Sequence, residues 1–103
     1  MRNVRFSQTF LDQLHDLLGQ GVDRFGLRVV AEKKARVYDV IEHHLAQFPA
    51  TTTRNPHLGL YSYPISRTPF VVIYDFDEHE LRVHFVIHQR ADRSRIDPKV
   101  AIW

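Results

Sequence analysis

The chain has 103 residues, of which 44% are hydrophobic and 25% charged, and this balance predicts one globular domain over residues 1–103. It contains no cysteine, which excludes disulfide bonds, thiolate metal sites and cysteine nucleophiles. The formal net charge of +2 is smaller than expected for a protein that coats nucleic acid.

In the second half of the chain, acidic and basic residues lie in separate blocks. Residues 75–80 hold four acidic side chains, and residues 82–99 hold five basic ones against two acidic ones. Such sorting indicates one face for an anionic partner. A solvated basic end without a function is the simpler alternative.

The sequence predicts a cytoplasmic protein without a membrane segment. The longest apolar run, residues 70–74, is far too short to cross a bilayer. The arginines near the N-terminus are not followed by the apolar segment of a secretory signal.

The first half of the chain predicts a strand and two helices. Residues 2–7 alternate like a strand, after which Ser7 or Thr9 can cap a helix with an apolar stripe that begins at Phe10. Gly26 ends this helix, and a second apolar stripe predicts another over residues 27–48, stopped by Pro49. The pair forms an antiparallel helix hairpin.

The second half predicts three strands. Residues 58–65 and 80–88 alternate, and residues 69–76 form an almost continuous apolar run. In the last strand, alternation places two sets of side chains on opposite faces: Leu81, Val83, Phe85 and Ile87 on one, and Arg82, His84, Val86 and His88 on the other. The predicted fold is α+β in the order β-α-α-β-β-β, with the helix hairpin packed on one face of a small antiparallel sheet and the other face open.

Residues 68–74, an acidic turn and residues 81–92 resemble the closing strands of the ParE branch of the RelE/ParE superfamily. In that pattern an aromatic–aliphatic strand ends at Tyr74, and the strand after the hairpin stops at His88, followed by Arg90 and Asp92. The helix end Leu45-x-x-Phe48-Pro49 and Gly59 also resemble this family.

The resemblance implies a type II toxin of the kind associated with plasmid stabilization, held inactive in a hetero-oligomer with its antitoxin. ParE members act on DNA gyrase, whereas RelE-type relatives cut messenger RNA on the ribosome. Neither branch implies a cofactor. Both share one fold, so the fold alone does not choose between them.

The residue types in the third predicted strand favour the gyrase branch. RNA cleavage needs a base, a cation for the phosphate and an acid. RelE-type enzymes commonly place an arginine where this chain has Phe70 and Val71. If the chain were nevertheless a metal-independent endoribonuclease, its candidate catalytic residues would be Arg67, His88 and Arg90.

An inhibitor of gyrase needs only a charged binding surface, for which the C-terminal part of the chain is the candidate. Trp103 is either a binding anchor or a tail residue packed on the core. An inert relative that binds only antitoxin is a third alternative. The predicted binding residues are His84, His88, Arg90, Arg93, Arg95 and Trp103.

Two further groups of residues have simpler interpretations. The seven histidines form no recognised metal-ligand pattern, so no metal site is expected. Tyr61, Tyr63 and Tyr74 could stack on nucleic-acid bases, but strand aromatics that face helices are more often core.

Overall fold

The protein consists of a helix hairpin packed on a five-stranded mixed sheet. The structure, a computed structural model, describes residues 2–52, 54–55, 59–92 and 96–103. In chain order the elements are β1 (Asn3–Phe6), α1 (Gln8–Val40), a π-helical turn (Ile41–Leu45), β2 (Arg54–Asn55), β3 (Leu60–Pro64), β4 (Phe70–Phe76), β5 (Glu80–His88) and a 3-10 turn (Pro98–Val100).

The helical segment α1 is broken at Gly26, where φ is 81° and ψ is 164°, a conformation that only glycine adopts readily. The chain doubles back there into two arms, residues 8–25 and 27–40. The rings of Phe10 and Tyr38 lie 6.3 Å apart, whereas a straight helix would separate these residues by roughly 40 Å. The predicted hairpin is therefore confirmed.

The two ends of α1 differ in how well they were predicted. Ser7 caps the first arm, because its Oγ accepts a 2.8 Å hydrogen bond from the backbone N–H of Phe10. The second arm remains α-helical only to Val40 and then widens into the π-helical turn, so it ends earlier than predicted. Within the described residues, no helix combines the length and the apolar character needed to span a membrane.

The strand order is β1-β5-β4-β3-β2, and β1 runs parallel to β5 while the other neighbours are antiparallel. The expectation of a purely antiparallel sheet was wrong at this one pair. The long connection from β1 to β5 permits a parallel arrangement, which a tight turn cannot make. Alternation within a strand carries no information about its direction.

The main core lies between the hairpin and the sheet. Tyr74 is fully buried there, and its hydroxyl donates a 2.6 Å hydrogen bond to the carbonyl of Pro49. Tyr61 stacks on Tyr74 with ring centroids 5.6 Å apart, and Tyr63 also packs against this core. The three tyrosines are therefore packing residues rather than a free stacking platform.

A β-bulge at His84 changes the face of the sheet on which each side chain at the end of β5 lies. Tyr74 pairs with Val83 and Ile73 pairs with Phe85, so His84 has no opposite residue on β4. Because one residue is inserted, the side chains beyond it change sides. Val83 and Val86 pack toward the helices, whereas Phe85 and Ile87 pack on the other face. The regular alternation predicted for β5 is wrong beyond Val83.

The face of the sheet away from the helices, which we call the second face, has an apolar cluster of its own. Leu60, Val71, Ile73 and Phe85 are buried there, with Ile96 and Ala101 of the C-terminal segment packed against them. The expected open face is therefore partly covered. Burial of this cluster holds residues 96–103 against the sheet.

Candidate functional site

The bulge separates two histidines that the sequence placed on one face of β5. His84 lies on the second face, in contact with the C-terminal residue Trp103. His88 pairs with Phe70 and lines a cavity on the helix side together with Leu17. The two imidazoles therefore belong to different sites.

His84 is a largely buried part of a packed cluster. Its Nε2 donates to the Asp75 carboxylate at 3.0 Å, and the ring of Trp103 meets it edge to face at 4.8 Å. Only 9% of the residue is exposed, and its Nδ1 is buried with no hydrogen-bond partner among the described residues. In this arrangement His84 holds the C-terminus in place and does not face solvent.

Arg82, beside His84 in sequence, is surrounded by carboxylates. Its guanidinium lies 2.9 Å from Asp75, Asp77 and Glu80. Burial tends to raise the pKa of Asp75, but hydrogen bonds from His84 and Arg82 outweigh it and lower that pKa below its ordinary value of 3.8. The acidic block of the sequence thus neutralises the first arginine of the basic block.

Trp103 is packed against the protein, as one of the two alternatives for this residue predicted. It packs against His84, and the guanidinium of Arg5 lies over its ring at 5.0 Å. Yet 42% of the residue remains exposed. The indole is a tail residue folded onto the protein, with one side still accessible.

His88 lines a cavity that we call the tip cavity. This cavity lies between the two hairpin arms and the start of β4. Its volume is about 190 Å³. The Nδ1 of His88 accepts a 3.1 Å hydrogen bond from the backbone N–H of Arg90, which orients the imidazole at the cavity wall. The lining residues are Leu17, Leu18, Gln20, Gly21, Arg24, Phe25, Val30, Lys33, Pro69, Phe70 and His88.

A second depression, the basic notch, adjoins the tip cavity because Lys33 lines both. Arg67 lines the notch from the β3–β4 turn. Its φ of 66° places its backbone in the left-handed region, which is uncommon for a residue other than glycine. Arg36 lines the notch from the second arm and is tied to the same turn by a 2.5 Å hydrogen bond to Ser66. Nothing in the helical periodicity singled out Lys33 beforehand.

The predicted site residues therefore fall into two groups. His84 and Trp103 lie together on the second face. Arg67, His88 and Arg90 lie toward the opposite end of the sheet, near the hairpin tip. The predicted binding residues Arg93 and Arg95 lie outside the described residues.

Metal-ligating side chains do not cluster in the part of the chain that the structure describes: no three of its histidine, aspartate and glutamate residues are grouped closely enough to hold an ion. The chemistry that these described residues offer is cationic and apolar.

The fold of this chain, a two-armed helix hairpin on one side of a small mixed sheet, is similar to that of chains from two toxin–antitoxin systems of known structure. No family model and no curated protein matches the sequence. A chain of the chromosomal ParDE toxin–antitoxin system from P. aeruginosa superposes with a TM-score of 0.71 and 12% identity, covering 85% of this chain and 96% of that one.

A chain of the RelBE2 toxin–antitoxin complex from Mycobacterium tuberculosis has a TM-score of 0.57 and 21% identity, with 84% of this chain and 96% of that chain covered. At such identities the likeness shows the fold. The α+β fold that the sequence resemblance implied is confirmed.

Proposed function

We propose that this protein is the cytoplasmic toxin of a type II toxin–antitoxin pair and is neutralised by a cognate antitoxin. The observation that carries the proposal is the structural likeness to chains of two toxin–antitoxin systems, which extends over 96% of each of those chains. The likeness covers both the hairpin and the sheet, so it is not limited to a common supersecondary motif.

Within that proposal, DNA gyrase is the preferred target and binding is the preferred mode of action. Phe70 and Val71, at the strand positions where RelE-type enzymes commonly carry an arginine, are buried in the two apolar clusters. Arg82, which lies on the second face, is held by three carboxylates. Its charge is therefore not available to stabilise a scissile phosphate.

Ribosome-dependent cleavage of mRNA is the second candidate, and one observation favours it. Arg67 and His88 line depressions that adjoin at Lys33, and Arg90, two residues after His88, donates its backbone N–H to the His88 imidazole. An imidazole and guanidinium groups are the types needed for proton transfer and phosphate binding.

Two assays with the same purified protein separate these candidates. We expect inhibition of gyrase supercoiling, relieved by the antitoxin, and no cutting of mRNA on programmed ribosomes. Cleavage at the A site with supercoiling unaffected would overturn the choice of target. In that event Arg67→Ala and His88→Ala should each abolish cutting, and normal cutting by both variants would remove these residues as catalytic candidates.

The antitoxin part of the proposal has a test of its own. The reading frame that neighbours the gene for this chain should encode a small protein that copurifies with it and restores growth when the two are expressed together. Growth arrest that the neighbouring product does not relieve would contradict the toxin–antitoxin assignment, whichever target is attacked.

A further inference from the structure

The function proposed above assigns no ligand to the tip cavity, although His88, a candidate site residue, lines it. We propose that it binds one large apolar side chain from an acidic segment of a partner protein. The inference rests on the geometry and charge of the cavity and does not require gyrase to be the target.

The size of the cavity indicates a single side chain rather than a whole small molecule. Its volume is about 190 Å³, whereas pockets for small molecules usually measure roughly 300–1,000 Å³. Leu17, Leu18, Val30 and Phe70 supply apolar walls. Such walls gain free energy by excluding water around an aliphatic or aromatic group.

Gly21 keeps this space open. A Cβ atom at position 21 would meet the Val30 side chain at 3.4 Å and the Phe25 side chain at 3.8 Å, and both of those residues line the cavity. A longer side chain would therefore extend into it. Because glycine within a helix costs about 1 kcal/mol relative to alanine, a residue with a side chain at position 21 would stabilise the helix more than Gly21 does.

The rim of the cavity is cationic and presents an exposed aromatic ring. Phe25 is 51% exposed, with the Lys33 ammonium 4.3 Å and the Arg24 guanidinium 5.7 Å from its ring centroid. Among the described residues, neither cation has a carboxylate within ion-pair distance. Carboxylates on either side of an apolar anchor residue would lie close to both cations at the entrance of the tip cavity.

The walls favour a protein over a nucleic acid as the occupant. Single-stranded nucleic acid is usually held by several aromatic rings that stack on successive bases. Among the described residues, the aromatic side chains that line this cavity are Phe25 and Phe70, apart from the imidazole of His88, and Phe70 is buried in the main core. A small, mainly aliphatic cavity instead fits the anchor residue of a peptide.

The probe for the test is a blocked pentapeptide with one leucine between two pairs of glutamates, titrated into the ¹⁵N-labelled protein. We expect the amide resonances of Gly21, Phe25 and Lys33 to shift, with a Kd of about 1 mM, equivalent to about −4 kcal/mol. Peptides with glutamine in place of glutamate, or alanine in place of leucine, should bind at least fivefold more weakly.

Two pairs of variants make the test specific. Gly21→Leu should abolish these shifts while preserving the fold, whereas Gly19→Leu, at a position with nothing within 4 Å, should bind the peptide normally. Lys33→Glu should weaken binding at least fivefold, and its exposed neighbour Lys34→Glu should change it little.

Three results would overturn the proposal. The first is the absence of shifts at the cavity residues up to millimolar peptide, and the second is unchanged binding by Gly21→Leu. The third is a shift of the same amide resonances by a short RNA or DNA oligonucleotide when the peptide causes no such shift. Each can be obtained whether or not the protein inhibits gyrase, so this inference and the proposed function fail independently.

Discussion

The imidazole of His84 and the indole of Trp103 meet edge to face, with ring centroids 4.8 Å apart and ring planes at 88°. The contact joins the bulge in β5 to the last residue of the chain. Next to it, the carbonyl of Ile102 accepts hydrogen bonds from the backbone N–H groups of Gln8 and Thr9, at 2.6 and 3.3 Å. The C-terminus therefore satisfies donors at the first turn of α1 that no helical carbonyl can reach.

Replacement of Trp103 by alanine should lower the free energy of unfolding by about 1–2 kcal/mol. The expected loss combines an aromatic pair of about 0.5–1.5 kcal/mol with a cation–π contact of about 0.5–1 kcal/mol. Urea denaturation followed by circular dichroism measures it. Val100→Ala, at an exposed position of the same segment, is the control and should change stability little. Equal stability of Trp103→Ala and the wild type would show that the tail contact contributes nothing.

Arg82→Met should destabilise the protein by about 2 kcal/mol at neutral pH, because three carboxylates lose a charged hydrogen-bond donor. The exposed pair Arg28–Glu32 provides the control, since Arg28→Met should change stability by less than about 0.5 kcal/mol. Urea denaturation of the three proteins at neutral pH gives the comparison. Similar losses in the two variants would contradict the importance of the Arg82 cluster.

The same cluster predicts how stability depends on pH. Burial raises the pKa of Asp75, but hydrogen bonds from His84 and Arg82 outweigh it and lower that pKa in the folded protein, and the pKa of Asp77 is lowered mainly by its hydrogen bond from Arg82. A lowered carboxyl pKa stabilises the fold above the unfolded value of 3.8, and this contribution is lost as the pH falls through the folded pKa. Wild-type stability should therefore drop below about pH 4, and the difference from Arg82→Met should shrink there. A difference that stays constant down to pH 2 would contradict this linkage.

Gly26→Ala should destabilise the protein by more than about 1 kcal/mol, because its φ of 81° is strained for a residue with a Cβ atom. Gly19→Ala is the matched control in the same segment, where an added Cβ atom would meet nothing within 4 Å and the change should stabilise by about 1 kcal/mol. Thermal denaturation should move the two melting temperatures in opposite directions. A higher melting temperature for Gly26→Ala would mean that the hairpin does not need this backbone conformation.

Tyr74→Phe should cost about 1–2 kcal/mol, since the buried carbonyl of Pro49 loses its 2.6 Å hydrogen bond. Tyr61→Phe removes the hydroxyl of the ring stacked on Tyr74, which is only partly buried, and should have a smaller effect. Chemical denaturation of both variants gives the comparison. If the two losses were equal, the link from β4 to the loop after the π-helical turn would not be a specific source of stability.

Most of the elements could be predicted because their signals are local. The break at Gly26 follows from the conformational freedom of glycine, and the Ser7 cap follows from a side chain that reaches the first helical N–H groups. The predicted bounds of β5 agree with the structure at both ends, residues 80–88. Strong periodicity bounded by turn residues suffices for such predictions.

The bulge at His84 could not be predicted, because residues 80–88 alternate in sequence as a regular strand would. The insertion depends on the pairing of β4 with β5, in which Tyr74 packs under the helices and Phe85 on the second face. That pairing reverses the sides of Phe85, Val86 and Ile87 relative to the prediction. As a result, His84 and His88 contribute to separate sites.

The amino-acid sequence by itself determined the two helical arms, the reversal at Gly26 and four of the five strands, because each depends on residues close together along the chain. The short strand β2 lies where the sequence predicted a loop. Only the tertiary structure decided that β1 lies parallel to β5, that the C-terminal segment covers the second face, and that Lys33 and His88 line one cavity. These features arise from contacts between residues distant in sequence. Their free energies depend on shape and burial, which no local pattern encodes.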